Sequence, residues 1–329
     1  MASDKTLVTG ATGFVGSAVA RVLRERGHKL RLLARPSSDK TNIEGLDAEI
    51  VYGDLSQPET LTDIFSNVRY LFHVAADYRL WVPDPEAMMR ANVEGTRQLM
   101  RLAQKAGVEK IVYCSSVAAL ATAHDGIPAD ESSPVTEQQI VGAYKRSKYR
   151  AEQAVLQMVR EEGLPATIVN PSTPIGPRDI KPTPTGQMIW DCVRGRMPAY
   201  VDTGLNIVHV DDVAEGHALA LEKGRIGEKY ILGGDNIMLK ALFDLIGREA
   251  DVAPPKIRLD QSVLYPVALV SEGLYHLFRI EPRVTREMLA MSRKLMFFSC
   301  AKAQKELGYV YRPAGEAVAD AVAWFQKKK

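Results

Sequence analysis

The stretch VTGATGFVG, Val8 to Gly16, sets three glycines, Gly10, Gly13 and Gly16, three residues apart. Just before it, KTLVTG is a short apolar run that reads as a buried strand. After it, FVGSAVARVLRERG has apolar residues at helical spacing and stops at Gly27. Glycines between a first strand and a first helix have mechanical reasons: a tight turn, close approach of a pyrophosphate to the backbone, and close helix–strand packing. The helix N-terminus adds free N–H groups and the positive end of its dipole. A lone triplet is a weak signal, but its position here makes it a dinucleotide-binding turn.

Working outward, strand and helix signals keep alternating. KLRLLAR, AEIVYGDL, VRYLFHVAA, KIVYCSS and PATIVNPS read as five further strands. Between them, DPEAMMRANVEGTRQLMRLAQKAG is a long helix closed by Gly107, and residues 131–163 read as loop and then helix, ending at Gly163. This order predicts an α/β, doubly wound parallel sheet of Rossmann type over residues 1–171, with right-handed crossovers. The rhythm breaks at PSTPIGPRDIKPTPTG, whose five prolines predict a long loop. Residues 172–329 are expected to form a smaller substrate-binding lobe, with the strand-like NIVHVDDVA region (206–222) packing back onto the first domain and AGEAVADAVAWFQ as a C-terminal helix. SVLYPVALVSEGLYHLF, Ser262 to Phe278, reads as a packed helix rather than a membrane-surface one, because its polar face has no basic cluster.

The 329 residues are 46% hydrophobic and 25% charged, an ordinary globular composition, and a net charge of +2 leaves no footprint for nucleic acid. Cys114, Cys192 and Cys300 are odd in number and far apart, which argues against a disulfide framework or a cysteine-based zinc site. Asp4 and Lys5 precede the first apolar run, so no signal or transit peptide is read. No apolar run reaches the roughly 18 residues of a membrane span, and a reducing cytoplasm is the expected setting. The terminal Lys327, Lys328 and Lys329 read as a solvated tail. No cluster has metal-ligand spacing, and His209 reads as a packed structural histidine.

The second strand ends LLARPSS, with Arg35 followed by Ser37 and Ser38 and no carboxylate. A guanidinium with hydroxyl neighbours suits a 2′-phosphate and favours NADP over NAD; the alternative is that Arg35 stacks on adenine and serves both. Asp54, in GDL, is placed for the adenine amino group, and Ala75 and Ala76 leave room for backbone beside the cofactor. GAYKRSK, Gly142 to Lys148, spaces Tyr144 and Lys148 four apart, a pattern that alone decides nothing. Tyr144 lies on the helix after the fifth strand and Ser116 ends that strand, so both project at the sheet's carboxyl edge.

The glycine triplet, GDL, HVAA, NVEGT, YCSS, Tyr-x-x-x-Lys and VHVDDVA, in that order to about residue 216, resemble the extended short-chain dehydrogenase/reductase superfamily. The resemblance implies that Tyr144 is the general acid/base, its phenol lowered by Lys148, which also bonds the nicotinamide ribose. It implies that Ser116 holds the substrate oxygen, with Ser115 as the competing candidate. The cofactor-binding set it implies is Gly10, Thr12, Gly13, Phe14, Val15, Gly16, Arg35, Asp54, Leu55, Ala75, Ala76, Tyr144, Lys148, Pro171 and Ser172. Extended members are often dimers through a four-helix interface, which helices 83–107 and 135–162 would supply.

More narrowly, FHVAADYRLWVPDP, NPSTPIGPRDIKPTPTG and GRMPAYVDTGLNIVHVDDVAEGH resemble dihydroflavonol-reductase-like proteins and the bacterial hopanoid-associated sugar epimerases. Two departures weaken the epimerase reading: Leu205 stands where nucleotide-sugar epimerases commonly place an arginine, and Arg35 favours NADP. The expected function is an NADP-dependent carbonyl reductase or alcohol dehydrogenase acting on a small or lipid-like carbonyl. The alternative is an NAD(P)-dependent sugar or nucleotide-sugar epimerase tied to hopanoid lipid biosynthesis. A non-catalytic redox sensor is disfavoured by the intact Tyr/Lys pair. Tyr78, Arg79 and Trp81 after the fourth strand, and Asp179, Lys181 and Thr185 on the proline-rich loop, are the candidate substrate contacts; Tyr78 and Trp81 could equally pad the lobe interface.

Overall fold

The computed structural model describes residues 4–79, 81–278 and 285–328; Met1–Ser3, Leu80, residues 279–284 and the tail residue Lys329 lie outside that description. Twelve described strands run in chain order: β1 (Lys5–Thr9), β2 (Lys29–Ala34), β3 (Ala48–Tyr52), β4 (Val68–His73), β5 (Lys110–Cys114), β6 (Ala166–Pro171), β7 (Thr173–Ile175), β8 (Ala199–Val201), β9 (Gly204–His209), β10 (Lys229–Leu232), β11 (Asp235–Met238) and β12 (Ile257–Leu259). The first six are the strands expected from the sequence. Together with β10 they form one seven-stranded sheet, ordered β10-β6-β5-β4-β1-β2-β3, with every pairing parallel. Its seventh strand, KYIL, had no counterpart in the sequence reading.

Successive strand residues point to opposite faces, and each face buries its own core. Val8, Leu32, Phe72, Val112 and Val169 face the helices Phe14–Glu25 and Val210–Lys223, which pack on each other. Leu7, Leu33, Leu71, Ile111 and Ile168 face the helices Gly95–Lys105 and Ala143–Glu162. The chain leaves β1 toward β3 on one side and returns to β4 on the other. The order therefore reverses between β1 and β4, opening a crevice at their carboxyl ends.

The C-terminal part centres on β9, paired parallel with β7 and antiparallel with β11. The helices Pro184–Val193, Leu239–Ala250 and Ala314–Lys327 close round Phe243 and Phe325.

Three segments differ from the sequence reading. NIVHVDDVA is a strand only to His209; a helix starts at Val210, because His209 accepts from the Asp211 amide and Asp211 and Asp212 favour the positive helix end. The proline-rich stretch holds β7, and a helix begins at Pro184, where Thr183 Oγ1 caps the Gly186 amide at 3.0 Å. Helix Gln261–Phe278 forms, yet it packs along one stripe only: Ala268 is buried while Val263 and Val270 are exposed.

A Cβ on Gly16 would fall inside the Gly10 carbonyl, which is backbone and cannot turn aside. Gly16→Ala is therefore expected to lower stability by about 1–3 kcal/mol, read as a shift of the urea midpoint. An unchanged midpoint would show that the turn is looser than this.

Candidate active site

The turn after β1 brings two backbones together. Gly10 has φ +72°, and a Cβ there would come within 2.7 Å of the Ala75 amide at the end of β4. The Gly13 amide donates to the Gly10 carbonyl at 2.9 Å, and no side chain caps the helix that starts at Phe14. A cradle that any side chain would fill, beside an uncapped helix N-terminus, fits a pyrophosphate. Thr12 and Val15 are partly exposed on this turn and Phe14 is buried.

Arg35 is exposed at the end of β2. Burial raises the Asp54 carboxyl, but the Ser56 amide and hydroxyl and the charge of Arg35 bring it below its ordinary value. Leu55, next in the chain, lies against Gly95 at the start of the following helix. Pro171 ends β6, and the Ser172 amide donates to the Leu232 carbonyl at 3.2 Å.

Beneath the crevice sits His73, fully buried. One ring nitrogen meets Thr9 Oγ1 at 2.8 Å and the other Thr96 Oγ1 at 3.0 Å. Thr9 Oγ1 in turn accepts from the Ala75 amide at 3.2 Å. Burial, then the nearby Lys148 charge, pushes the imidazole down to about 3. The sequence reading passed over His73; one imidazole in an otherwise apolar strand end was its only signal.

The structure brings Ser116, Tyr144 and Lys148 together. Ser116 opens the short turn Val117–Ala119, its Oγ accepting from the Ala118 amide at 3.1 Å, and its hydroxyl lies near enough to the Tyr144 phenol to favour the phenolate. Ser115 Oγ is buried without a partner among the described residues, so Ser116 is the serine that stands with Tyr144. Lys148 lies one helical turn on; its Nζ donates to the Cys114 carbonyl at 2.8 Å and sits 5.1 Å from the Tyr113 ring centre. Burial lowers its ammonium, while Cys114 and Glu152 oppose that shift.

The phenol departs from expectation. Burial pushes Tyr144 up to about 12, with the Ser116 hydroxyl pulling the other way. The Lys148 ammonium gives one of its three donors to the Cys114 carbonyl.

A second row, unread in the sequence, supports these groups. Asn170 Nδ2 donates to the Ser116 carbonyl at 3.0 Å and to Glu152 Oε2 at 2.7 Å, and Lys229 Nζ lies 3.6 Å from Glu152 Oε1. Asn92, in the π-helical turn Arg90–Glu94, donates to the Asp77 carbonyl and Ser147 Oγ, both at 2.9 Å, and accepts from the Asp77 amide at 2.8 Å. It thereby ties the loop after β4 to the helix of Tyr144. Lys145 is also buried, its Nζ 3.6 Å from Met296 Sδ, and burial with the charge of Lys294 brings it down to about 8.

The expected substrate residues separate. Tyr78 is 40% exposed, and burial, followed by the field of Asp179, raises its phenol. Asp179 itself is buried, both its oxygens taken by the Thr183 amide and Oγ1 at 2.9–3.0 Å, so its carboxylate is used inside its own loop. Trp81 turns to Tyr275, with ring centres 4.4 Å apart. Thr185 lies in the first turn of the helix from Pro184, partly buried, and Lys181 is exposed. Leu205 packs on the C-terminal core and its backbone bridges Met296. Among the described residues no group of acidic, histidine or cysteine side chains could hold a metal ion.

Residues 6–233 match the pattern of the NAD dependent epimerase/dehydratase family. The chain belongs to this family. It is thus an NAD(P)-dependent oxidoreductase of the short-chain dehydrogenase/reductase superfamily. A putative dihydroflavonol 4-reductase of Synechocystis sp. is 44% identical over 98% of this chain and 95% of its own length. Sterol demethylase protein B of Methylococcus capsulatus is 33% identical, with 98% of each chain covered. The crystal structure of gox2253 is 71% identical, covers 99% of this chain and 98% of its own, and superposes with a TM-score of 0.90.

A buried neutral imidazole is expected to make stability fall in mild acid. The unfolded chain takes up the His73 proton below about 6.5, whereas the folded chain resists down to about 3. Stability from this group is present above that range and is lost as pH falls through it. His73→Gln is expected to make the fall of the urea midpoint between neutrality and mild acid shallower; an identical slope would show that His73 is not held neutral.

Proposed function

We propose that this family member is an NADP-dependent carbonyl reductase acting on an apolar, polycyclic or lipid-like ketone. The observation that carries the reading is the convergence of Ser116, Tyr144 and Lys148 at the end of β5, with Lys148 Nζ fixed on the Cys114 carbonyl at 2.8 Å and the Tyr144 phenol pushed up to about 12 by burial. A donor that stays protonated throughout the neutral range suits reduction, which needs a proton delivered to the carbonyl oxygen.

The glycine turn and the N-terminus of helix Phe14–Glu25 would hold the pyrophosphate of the dinucleotide, and Arg35 would supply the charge for a 2′-phosphate. When bound, the reduced nicotinamide supplies the hydride. Ser116 positions the carbonyl oxygen against the phenol, and Tyr144 gives it the proton. Lys148, held beneath the same turn, stabilises the phenolate that remains. Asn170 keeps the Ser116 backbone in place. Residues 1–171 form the cofactor half in this reading, joined by the returning helix Val210–Lys223 and β10. The remaining C-terminal residues form the substrate half, and the helices near 83–107 and 135–162 provide a homodimer surface.

The names of the two curated relatives support a polycyclic carbonyl substrate. Leu205, packed in an apolar cluster, offers no charge to a diphosphate. The family name also covers epimerases, and that reading requires a retained NAD. Identifying the nucleotide in protein purified without additions separates the two: NAD that survives dialysis would replace the reductase reading with the epimerase one.

Tyr144→Phe is expected to abolish NADPH-dependent ketone reduction while leaving dinucleotide affinity within about threefold, since only the proton donor is lost. Activity near wild type would remove Tyr144 from this role. Arg35→Ala is expected to erase most of a preference for NADP of about 1.5–3 kcal/mol, roughly 10- to 150-fold, in paired titrations with NADP and NAD. Equal wild-type affinities would refute the assignment to NADP.

A further inference from the structure

Helix Gln261–Phe278 has an outward face made almost wholly of apolar side chains. Val263, Val267, Val270 and Leu274 repeat at helical spacing and are 62%, 50%, 63% and 37% exposed; Tyr265 and Leu269 beside them are 46% and 45% exposed. These six account for much of the large apolar surface that the described residues expose. The inner stripe is used: Ala268 is fully buried, and Tyr275 meets Trp81 on the loop after β4. Glu272 is the helix's one carboxylate, the helix holds no Lys or Arg, and Arg286 holds Glu272 at 2.8 Å.

The charges stand at the ends. Lys256 and Arg258 precede the helix, and Arg286 and Arg293 follow it, all exposed. Residues 256–278 and 285–294 contain five cations (Lys256, Arg258, Arg286, Arg293, Lys294) against three carboxylates (Asp260, Glu272, Glu287), and Asp202 meets Arg258 at 3.2 Å, so the local balance stays cationic. An uncharged apolar centre with cationic ends is the chemistry of a helix lying in a lipid interface, apolar face toward the acyl chains and cations at the headgroup phosphates. A second copy fits less well, because a two-fold contact laying these helices antiparallel sets cationic end against cationic end. No described helix is long and apolar enough to cross a membrane.

We propose that helix Gln261–Phe278 docks this protein on the surface of an anionic lipid bilayer. The inference uses no feature of the reaction and stands apart from the reductase reading. It is tested by flotation of the full chain, without substrate or nucleotide, on vesicles of phosphatidylcholine with and without phosphatidylglycerol. The wild type floats with the anionic vesicles, less with neutral ones, and less at high salt. Val267→Asp with Val270→Asp lowers the bound fraction at least about tenfold at an unchanged melting temperature. A wild type that stays at the bottom of the gradient, or a doubly substituted chain that floats as well as the wild type, overturns the proposal. So does a wild type that does not float but self-associates in a way the two substitutions disperse, which would assign the face to a second copy.

Discussion

The bond from Lys148 Nζ to the Cys114 carbonyl, 2.8 Å long, is the contact on which the arrangement of the site depends. An ammonium buried this deeply must find an acceptor, and the acceptor it finds is the last carbonyl of β5. That bond sets how the helix Ala143–Glu162 is rotated over the sheet edge. Tyr144, one turn earlier on the same stripe, then meets Ser116 as the chain leaves β5. Glu152, one turn later, meets Asn170 in the neighbouring strand. A single periodicity of four places all three groups, so the sheet edge and the helix act as one rigid part.

A separate knot joins the C-terminal elements to that part. Arg312 reaches Asp212 Oδ1 with Nε at 2.9 Å and His209 Nδ1 with a terminal nitrogen at 2.9 Å, while Asp320 meets His209 Nε2 at 3.1 Å. Burial, then the Arg312 charge, lowers the His209 imidazole, and its position as the cap of helix Val210–Lys223 uses its ring fully. This histidine belongs to the joint between β9 and the last helix, consistent with a structural reading.

What was legible in the sequence was whatever repeats or stands in a fixed order. The six strands, the glycine turn and the convergence of Ser116, Tyr144 and Lys148 follow from periodicity and from the rule that parallel strands present their carboxyl ends together. Asn170 and His73 were not legible, because each is one polar residue in an apolar run, and Glu152 was not, because it is one of many polar residues on its helix; in each case the partner lies on another element. Sheet order must be known before β6 is seen to lie beside β5. Spacing shows that Lys148 stands one turn from Tyr144, but not that its ammonium also meets the Cys114 carbonyl. Trp81 and Asp179 were placed on the right loops, yet their partners, Tyr275 and Thr183, are set by how those loops fold back.

The late arrival of β10 has a consequence for synthesis. β6 pairs on one side with β5, but its other edge stays open until Lys229–Leu232 has left the ribosome. In the interval the whole segment from β7 through the helix Val210–Lys223 must emerge and fold aside. Growth from the N-terminus thus leaves the nascent chain with an unpaired, apolar strand edge, of the kind that chaperones bind and that neighbouring chains invade. The edge left open is the one that carries Asn170, so the support behind Ser116 is among the last parts of the sheet to be sealed.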